Sequence, residues 1–252
     1  VDKYVGGAEH AVMHLLYARF ITKVLRDCGY INFDEPFLSL VHQGTITNKG
    51  AKMSKSRGNV VNPGTFTEQY GGDVFRLYLM FMRPYDESGD WNDEGIQGTW
   101  RFVNRIYQLV FDNQEMICST KIQTRYEIQK LNSSDKIIYR KTNQTLKKVE
   151  ENIHEFHFNT AISSLMELLN ELTNKQTNER TNEITSWCIH KLILMLAPLA
   201  PHFAEELNEI CGGKESLFKG SKWFHYDETA IAEDEVTIAI QINGKLRDTM
   251  QF

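Results

Sequence analysis

Apolar positions along the 252-residue chain change period several times, and each change marks an element. Val1–Val5 is short and β-branched enough for a strand, which Gly6-Gly7 breaks. From Ala8 the period becomes helical, with Val12, Leu15, Leu16, Phe20 and Val24 on one face, and the helix ends near Cys28 and Gly29. Strand, glycine turn and helix in that order put Gly6, Gly7, Glu9 and His10 at the C-terminal edge of a sheet, where doubly wound α/β folds bind ligands. The Gly-Gly-Ala-Glu turn lacks G-x-G-x-x-G spacing, which argues against a dinucleotide site. Asp34-Glu35-Pro36 predicts the opening of a short apolar helix, Phe37 to Val41, followed by a turn at His42-Gln43-Gly44 and a strand at Thr45-Ile46-Thr47. Further on, Asn62 is a good N-cap with Pro63 at N1, and Gly71-Gly72 ends that helix. Asp73 is expected to cap the next, whose face is Val74, Leu77, Tyr78 and Phe81, with Pro84 as the stop.

Asp86-Glu87-Ser88-Gly89-Asp90 reads as a polar connector and the expected domain boundary. Beyond it the pattern is mostly helical. Asn92 caps a helix with core face Ile96, Trp100, Val103, Tyr107 and Val110, while 114–132 carries little periodicity and reads as a loop. A helix from Asp135 turns Ile138, Leu146, Val149 and Ile153 inward and leaves Lys136, Arg140 and Lys147 on the opposite face. That stripe suits a phosphate backbone or plain solvation. Ala161–Leu172 is amphipathic, 174–182 a polar linker, and Ile184–Leu196 apolar enough to be central in a bundle. Pro198 and Pro201 break it before a shorter helix, Phe203–Ile210, and Trp223 and Phe224 read as anchors at the bundle's end. Alternation at Val236–Ile242, then Asn243-Gly244 and Lys245–Met250, predicts a hairpin.

Composition narrows the class. A net charge of -5 gives no global pull toward nucleic acid, so any RNA contact must use local basic faces. The longest apolar run, Leu192–Ala200, is far short of the ~20 residues that span a bilayer, so no membrane role is expected. Cys28, Cys118, Cys188 and Cys211 are scattered without a C-x-x-C pair, as in reduced cytoplasmic thiols. The missing initial methionine and the end just past a strand-like segment predict an internal or C-terminal piece of a larger protein.

The strongest chemical signal lies between Lys49 and Asn59. It holds four cations and no acid, separated by glycine, serine, alanine and one methionine. Gly50 and Gly58 let backbone amides approach a ligand, while Ser54 and Ser56 add hydroxyl donors. Such a loop suits a triphosphate. It is not a Walker A loop, since no Gly-Lys-Ser/Thr follows a glycine at the required distance. Lys52-Met53-Ser54-Lys55-Ser56 is identical to the KMSKS motif of class I aminoacyl-tRNA synthetases, and Arg57–Pro63 resembles its continuation. The segment from Tyr4 through Glu9, His10 and His14 to Phe20 resembles the leucyl-specific members of bacterial type.

That resemblance implies a mainly α chain with an α/β N-terminal part. Residues 1–87 would be the end of a Rossmann-like catalytic domain, 88–230 an anticodon-binding type of helical bundle, and 231–252 the opening hairpin of a C-terminal domain. It implies ATP-dependent activation of leucine and transfer to tRNA(Leu), with Mg2+ accompanying ATP and a monomeric cytoplasmic protein. Alone, this chain would lack the other half of the catalytic clamp and be inactive. Lys52 and Lys55 would act in catalysis, and Lys52, Met53, Ser54, Lys55, Ser56, Gly6, Gly7 and Glu9 would bind ATP. Tyr4, His10 and His14 would shape the amino-acid pocket, and Arg76, beside Asp73 in a stem-contact region, would join Lys136, Arg140 and Lys147 in meeting tRNA. The other readings are an isoleucyl, valyl or methionyl relative, and a tRNA-binding module without catalysis. A zinc site on His10 and His14 has no third ligand in sequence, and no bound metal is expected.

Overall fold

The computed structural model describes residues 1–174, 180–219, 223, 225–231, 237–242 and 245–251. Most of the expected 174–182 linker, Phe224 and the Asn243-Gly244 turn lie outside the described residues. Two compact units emerge, one formed by 1–103 with 152–162, the other by 104–151 with 163–252.

In the first unit β1 (Lys3–Gly6) pairs in parallel with β2 (Ser39–His42), Tyr4 opposite Leu40 and Gly6 opposite His42. A parallel pair needs a crossover. It is made by a 3-10 turn over Ala8–Val12 and helix α1 (His14–Asp27). The single helix expected from Ala8 is thus interrupted at Met13, whose φ of -118° and ψ of -105° are not helical. Gly29, at φ 78°, follows the helix end as predicted. Of the predicted apolar face only Leu15 is buried; Val12, Leu16, Phe20 and Val24 are exposed, since nothing among the described residues covers that side. The helix expected over Phe37–Val41 is replaced by strand β2. Five residues are too few to nucleate a helix, whereas the free edge of β1 satisfies their backbone groups at once.

A second sheet has the order β4 (Ala51–Lys52), β3 (Ile46–Asn48), β5 (Gly89–Asp90). The stretch read as a polar connector therefore contributes a strand, parallel to β3 with Thr47 opposite Asp90. Between the strands lie α2 (Pro63–Tyr70) and α3 (Gly72–Phe81). Asn62 caps α2 as predicted, its Oδ1 accepting from the Gly64 amide at 3.0 Å. The cap of α3 is Gly71, at φ 86°, and Asp73 sits in the first turn, where its charge favours the helix dipole. Val74, Leu77 and Tyr78 are buried. Trp91, just after β5, packs edge-on against Phe66 of α2 and Tyr78 of α3, with ring centroids 4.9 and 5.1 Å away. Its amide donates to Thr47 O at 2.8 Å, so one residue ties this sheet to both helices. Before β5, the Gly44 amide donates to Tyr85 O at 2.8 Å, and a β-carbon on Gly44 would overlap the Glu87 carbonyl.

Helix α4 (Ile96–Asp112) buries Ile96, Val103 and Val110 as predicted, together with Phe102 and Ile106. Trp100 and Tyr107 are exposed, because at 100° per residue they flank the stripe on which those residues centre. The supposed loop at 114–132 holds α5 (Gln114–Ser119), with Ile117 buried, and a 3-10 turn at Ile128–Lys130. Helices α6 (Ser133–His154), α7 (Phe158–Thr173), α8 (Asn182–Leu196) and α9 (Pro201–Ile210) follow. Ile138, Leu146 and Val149 of α6 are buried, and α8 is buried on nearly every side from Ile184 to Leu196. A short α10 (Glu228–Ile231) precedes the antiparallel hairpin of β6 (Thr237–Ile242) and β7 (Lys245–Gln251), Ile242 opposite Lys245.

Asp227 anchors the second unit. Its side chain is only 5% exposed, and it accepts two bonds of 2.7 Å from Arg125 and two, of 3.0 and 2.7 Å, from the amide and hydroxyl of Thr229. Burial alone would raise its pKa, but the bonds from Thr229 and Arg125 outweigh it and hold the carboxyl below its ordinary value. Asp227→Ala should cost about 2 kcal/mol in urea unfolding, as charge-assisted bonds to a buried acceptor are lost. Because the folded-state pKa is lowered, that contribution is whole above the ordinary aspartate value of about 3.9 and lost as pH falls through the folded-state value. A stability difference between wild type and Asp227→Ala that does not shrink as pH falls below the ordinary aspartate value would contradict this. In the first unit, Gly44→Ala should cost about 1–3 kcal/mol by overpacking, whereas Gly50→Ala meets no neighbour and costs about 1 kcal/mol for its positive φ. Equal unfolding midpoints for the two variants would show that 84–88 is not seated on Gly44.

Candidate functional site

The basic loop is built on a two-residue turn. Lys49 and Gly50, at φ 55° and 71°, join β3 to β4 with Asn48 opposite Ala51, the left-handed geometry that suits strand twist. After Met53 the chain makes a 3-10 turn over Lys55–Arg57 and leaves through Gly58, at φ 66°. Asn59 then reaches back across the loop. Its Oδ1 accepts from the Ser54 amide at 2.9 Å, its Nδ2 donates to Lys52 O at 3.3 Å, and its own carbonyl accepts from Asn48 Nδ2 at 2.9 Å. Ser54 and Ser56 hydroxyls lie 2.7 Å apart. On the other side Asp90 Oδ1 accepts from the Gly50 amide at 3.0 Å and the Thr47 hydroxyl at 2.8 Å. Those bonds hold the Asp90 carboxyl below the usual aspartate range, the Gly50 amide being the largest cause. Lys52 and Lys55 are exposed and, among the described residues, make no ion pair.

Lys52 also borders a cavity of about 440 Å³, whose wall includes Gly7, Glu9, Thr45, Arg83 and Glu87. Gly7 is buried, and a β-carbon there would meet the Glu9 carboxylate at 2.3 Å, so glycine at 7 lets that acid fold back over the turn. Gly7, Glu9 and Lys52, far apart in sequence, thus line one space. An acid and a cation in the wall of one cavity suit a ligand with both a polyanionic and a hydroxyl-bearing part.

Tyr4, His10 and His14 form a neighbouring aromatic group. His14 Nδ1 lies 3.0 Å from the Tyr4 hydroxyl, and the two rings stack with centroids 5.5 Å apart. The His10 and His14 rings meet edge to face at 6.5 Å, and His10 Nδ1 is buried with no hydrogen-bond partner among the described residues. Phe37 closes the group, 4.7 Å from Tyr4. Among the described residues no three His, Cys, Asp or Glu side chains gather as metal ligands. His42, on β2, turns Nδ1 toward Gly6 O at 3.4 Å and stays outside this group.

The residues assigned to tRNA fall in both compact units. Arg76 is exposed on α3. On α6, Arg140 donates to Ala230 O at 3.3 Å, and Lys147 stands 5.6 Å from the Tyr226 ring centroid and 3.9 Å from Glu151. The segment 226–230 thus partly covers that face, which i,i+4 spacing could not reveal. Phe37, Asn59 and Asp90 are site residues that sequence reasoning passed over. Asn59 lay within the quoted motif continuation, so an amide following a glycine-ended loop was the available signal.

A family model for class I tRNA synthetases (I, L, M and V) matches residues 20–92, and one for the anticodon-binding domain of tRNA ligase matches 135–252. Leucine–tRNA ligase of Petrotoga mobilis is 47% identical over 98% of this chain, and that of Caldanaerobacter subterraneus subsp. tengcongensis 48% identical over 100%. In both cases the match covers 30% of the relative's length. Among solved structures, LeuRS of Agrobacterium radiobacter K84, in a ternary complex with tRNA and LeuAMS, superposes with a TM-score of 0.89 at 35% identity. That superposition covers 100% of this chain and 32% of the other. Methionyl-tRNA synthetase of Mycobacterium tuberculosis shares the fold at a TM-score of 0.63 and 18% identity, over 82% of this chain and 43% of its own. The chain therefore belongs to the leucine–tRNA ligase family of class I tRNA synthetases and spans about 30% of the length of the relatives it matches.

Proposed function

We propose that a protein of full ligase length containing this chain joins leucine to ATP, releases pyrophosphate, and passes the leucyl group to the terminal ribose of tRNA(Leu). The observation that carries this reading is the Lys52–Ser56 loop, strapped at both sides by hydrogen bonds while its two motif lysines stay exposed and unengaged by acid among the described residues. The chemistry is positioning and charge neutralisation at a phosphorus centre, with no covalent enzyme intermediate. Lys55 stabilises the charge that develops on departing pyrophosphate, and Lys52 guides the phosphates. Met53, Ser54 and Ser56 complete the loop's contact with ATP, which enters with Mg2+ as substrate, the ion held by phosphates and water.

Gly6, Gly7 and Glu9 lie along the adenylate in this reading. It draws on the cavity that Gly7, Glu9 and Lys52 share. Tyr4, His10 and His14 shape the leucine side-chain pocket, a role suited to their stacked rings and to an imidazole nitrogen left without a partner among the described residues. Arg76, Lys136, Arg140 and Lys147 meet tRNA, with Arg140 and Lys147 doing so around the 226–230 segment. The functional division falls near 87–88, ahead of an RNA-binding part to 230 and a further domain opening with the hairpin. Among the described residues no helix is long and apolar enough to cross a membrane. By its likeness to the curated ligases, and not from that absence, we assign the protein to the cytoplasm as a monomer.

Lys55→Ala should lower kcat for leucine-dependent pyrophosphate exchange more than it raises the ATP KM, by roughly 3 kcal/mol or on the order of a hundredfold. Unchanged exchange would remove Lys55 from the reaction, and a smaller loss is expected for Lys52→Ala. His14→Ala should change leucine KM or discrimination against isoleucine while leaving metal content untouched. Stoichiometric zinc that disappears in the variant would favour a metal role instead.

A further inference from the structure

The direction in which the loop's cations project depends on what holds its backbone. Lys49 and Gly50 make the turn from which Lys52 and Lys55 follow, and a two-residue turn with exposed backbone is soft unless something outside it holds its amides. Asp90 does this from another strand. One of its oxygens accepts both from the Gly50 amide at the turn's tip and from the Thr47 hydroxyl on β3, and the Thr47 hydroxyl also reaches Gly89 O at 3.2 Å. Asp90 itself is fixed by the β3–β5 pairing and, one residue on, by the Trp91 amide on Thr47 O. Trp91 is in turn wedged between α2 and α3. A chain of contacts therefore runs from two packed helices to the tip of a cationic loop, and Asp90 is its last link.

We propose that Asp90 is a positioning residue for the phosphate-binding loop: as acceptor for Gly50 and Thr47 it presets the register of Lys52 and Lys55 before ATP arrives. An acid beside four cations would be expected to pair with one of them. Among the described residues it makes no ion pair, and its oxygen is taken up by neutral donors, which leaves the lysines to the ligand. The role is geometric: it needs an acceptor oxygen at this position, which an asparagine also supplies. A loop without this strap must be ordered by ATP itself, and that cost appears in ATP binding.

The kinetic half of the test rests on the function proposed above; the structural half does not. In the full-length protein, Asp90→Ala should raise the ATP KM for leucine-dependent exchange on the order of tenfold while kcat stays within about threefold. Asp90→Asn, which keeps an oxygen in the same place, should remain near wild type. Limited trypsin digestion, read by mass spectrometry at Lys52, Lys55 and Arg57, should run several times faster, about fivefold, in Asp90→Ala and at the wild-type rate in Asp90→Asn. Thr47→Val, which removes one of the two bonds, should fall between. If Asp90→Ala proves too unstable to purify, the Thr47→Val and Asp90→Asn arms still decide. Cleavage of Asp90→Ala at the wild-type rate, or of Thr47→Val where Asp90→Ala cannot be made, would overturn the proposal. So would an Asp90→Asn as impaired as Asp90→Ala. If Lys55→Ala exchange is unchanged while Asp90→Ala cleavage is accelerated, the phosphate reading fails and the strap stands.

Discussion

A cationic loop that is to bind a polyanion, as proposed for Lys49–Asn59, cannot satisfy its own cations first. Four positive side chains within nine residues, Lys49 to Arg57, repel one another, and the simplest remedy, an acid on each lysine, would compete with the ligand. The chain resolves this by holding the backbone and leaving the charges alone. Asn59 bonds the amide of Ser54 and the carbonyl of Lys52 from one side, and Asp90 takes the Gly50 amide from the other. Straps that end on backbone amides and carbonyls, unlike ion pairs on the lysines, leave the ammonium groups free for an anionic ligand.

The rest of the first unit reads as support for those straps. Asp90 can reach Gly50 only because Gly89–Asp90 forms a strand on β3, and that strand is fixed because Trp91 is held by Phe66 and Tyr78. The cap at Asn62 and the positive φ of Gly71 set α2 and α3 so that these rings meet. The second unit solves a different problem. Its core is an apolar helix buried on most sides, and one of its buried carboxylates, Asp227, is satisfied by Arg125 and Thr229.

Local signals in the sequence predicted what local physics decides. The caps and stops of α2, the buried run of α8, the proline at the start of α9 and the final hairpin follow from residues within a few positions of each other. The cationic loop was legible for the same reason, as composition and spacing within eleven residues. What the sequence hid depends on partners far along the chain. Segment 39–42 becomes a strand because β1, more than thirty residues earlier, offers an edge. Asp90 looked like part of an acidic connector, and its bond to Gly50 spans 40 positions. Arg125 and Asp227 meet across 102 positions, from stretches with no periodicity to announce them. The stripe of Lys136, Arg140 and Lys147 was legible as a helix face but not as one that 226–230 leans on.

The proposed activation of leucine rests on family membership and an exposed, strapped KMSKS loop, and substrate selection tests it most directly. Pyrophosphate exchange by the full-length protein should be measured with leucine, isoleucine, valine and methionine in turn, each with ATP and Mg2+. The account predicts exchange with leucine at least about a hundredfold more efficient than with isoleucine or valine, a ratio that a shaped apolar pocket can reach. Exchange that prefers another of the four, or none with leucine, would contradict it.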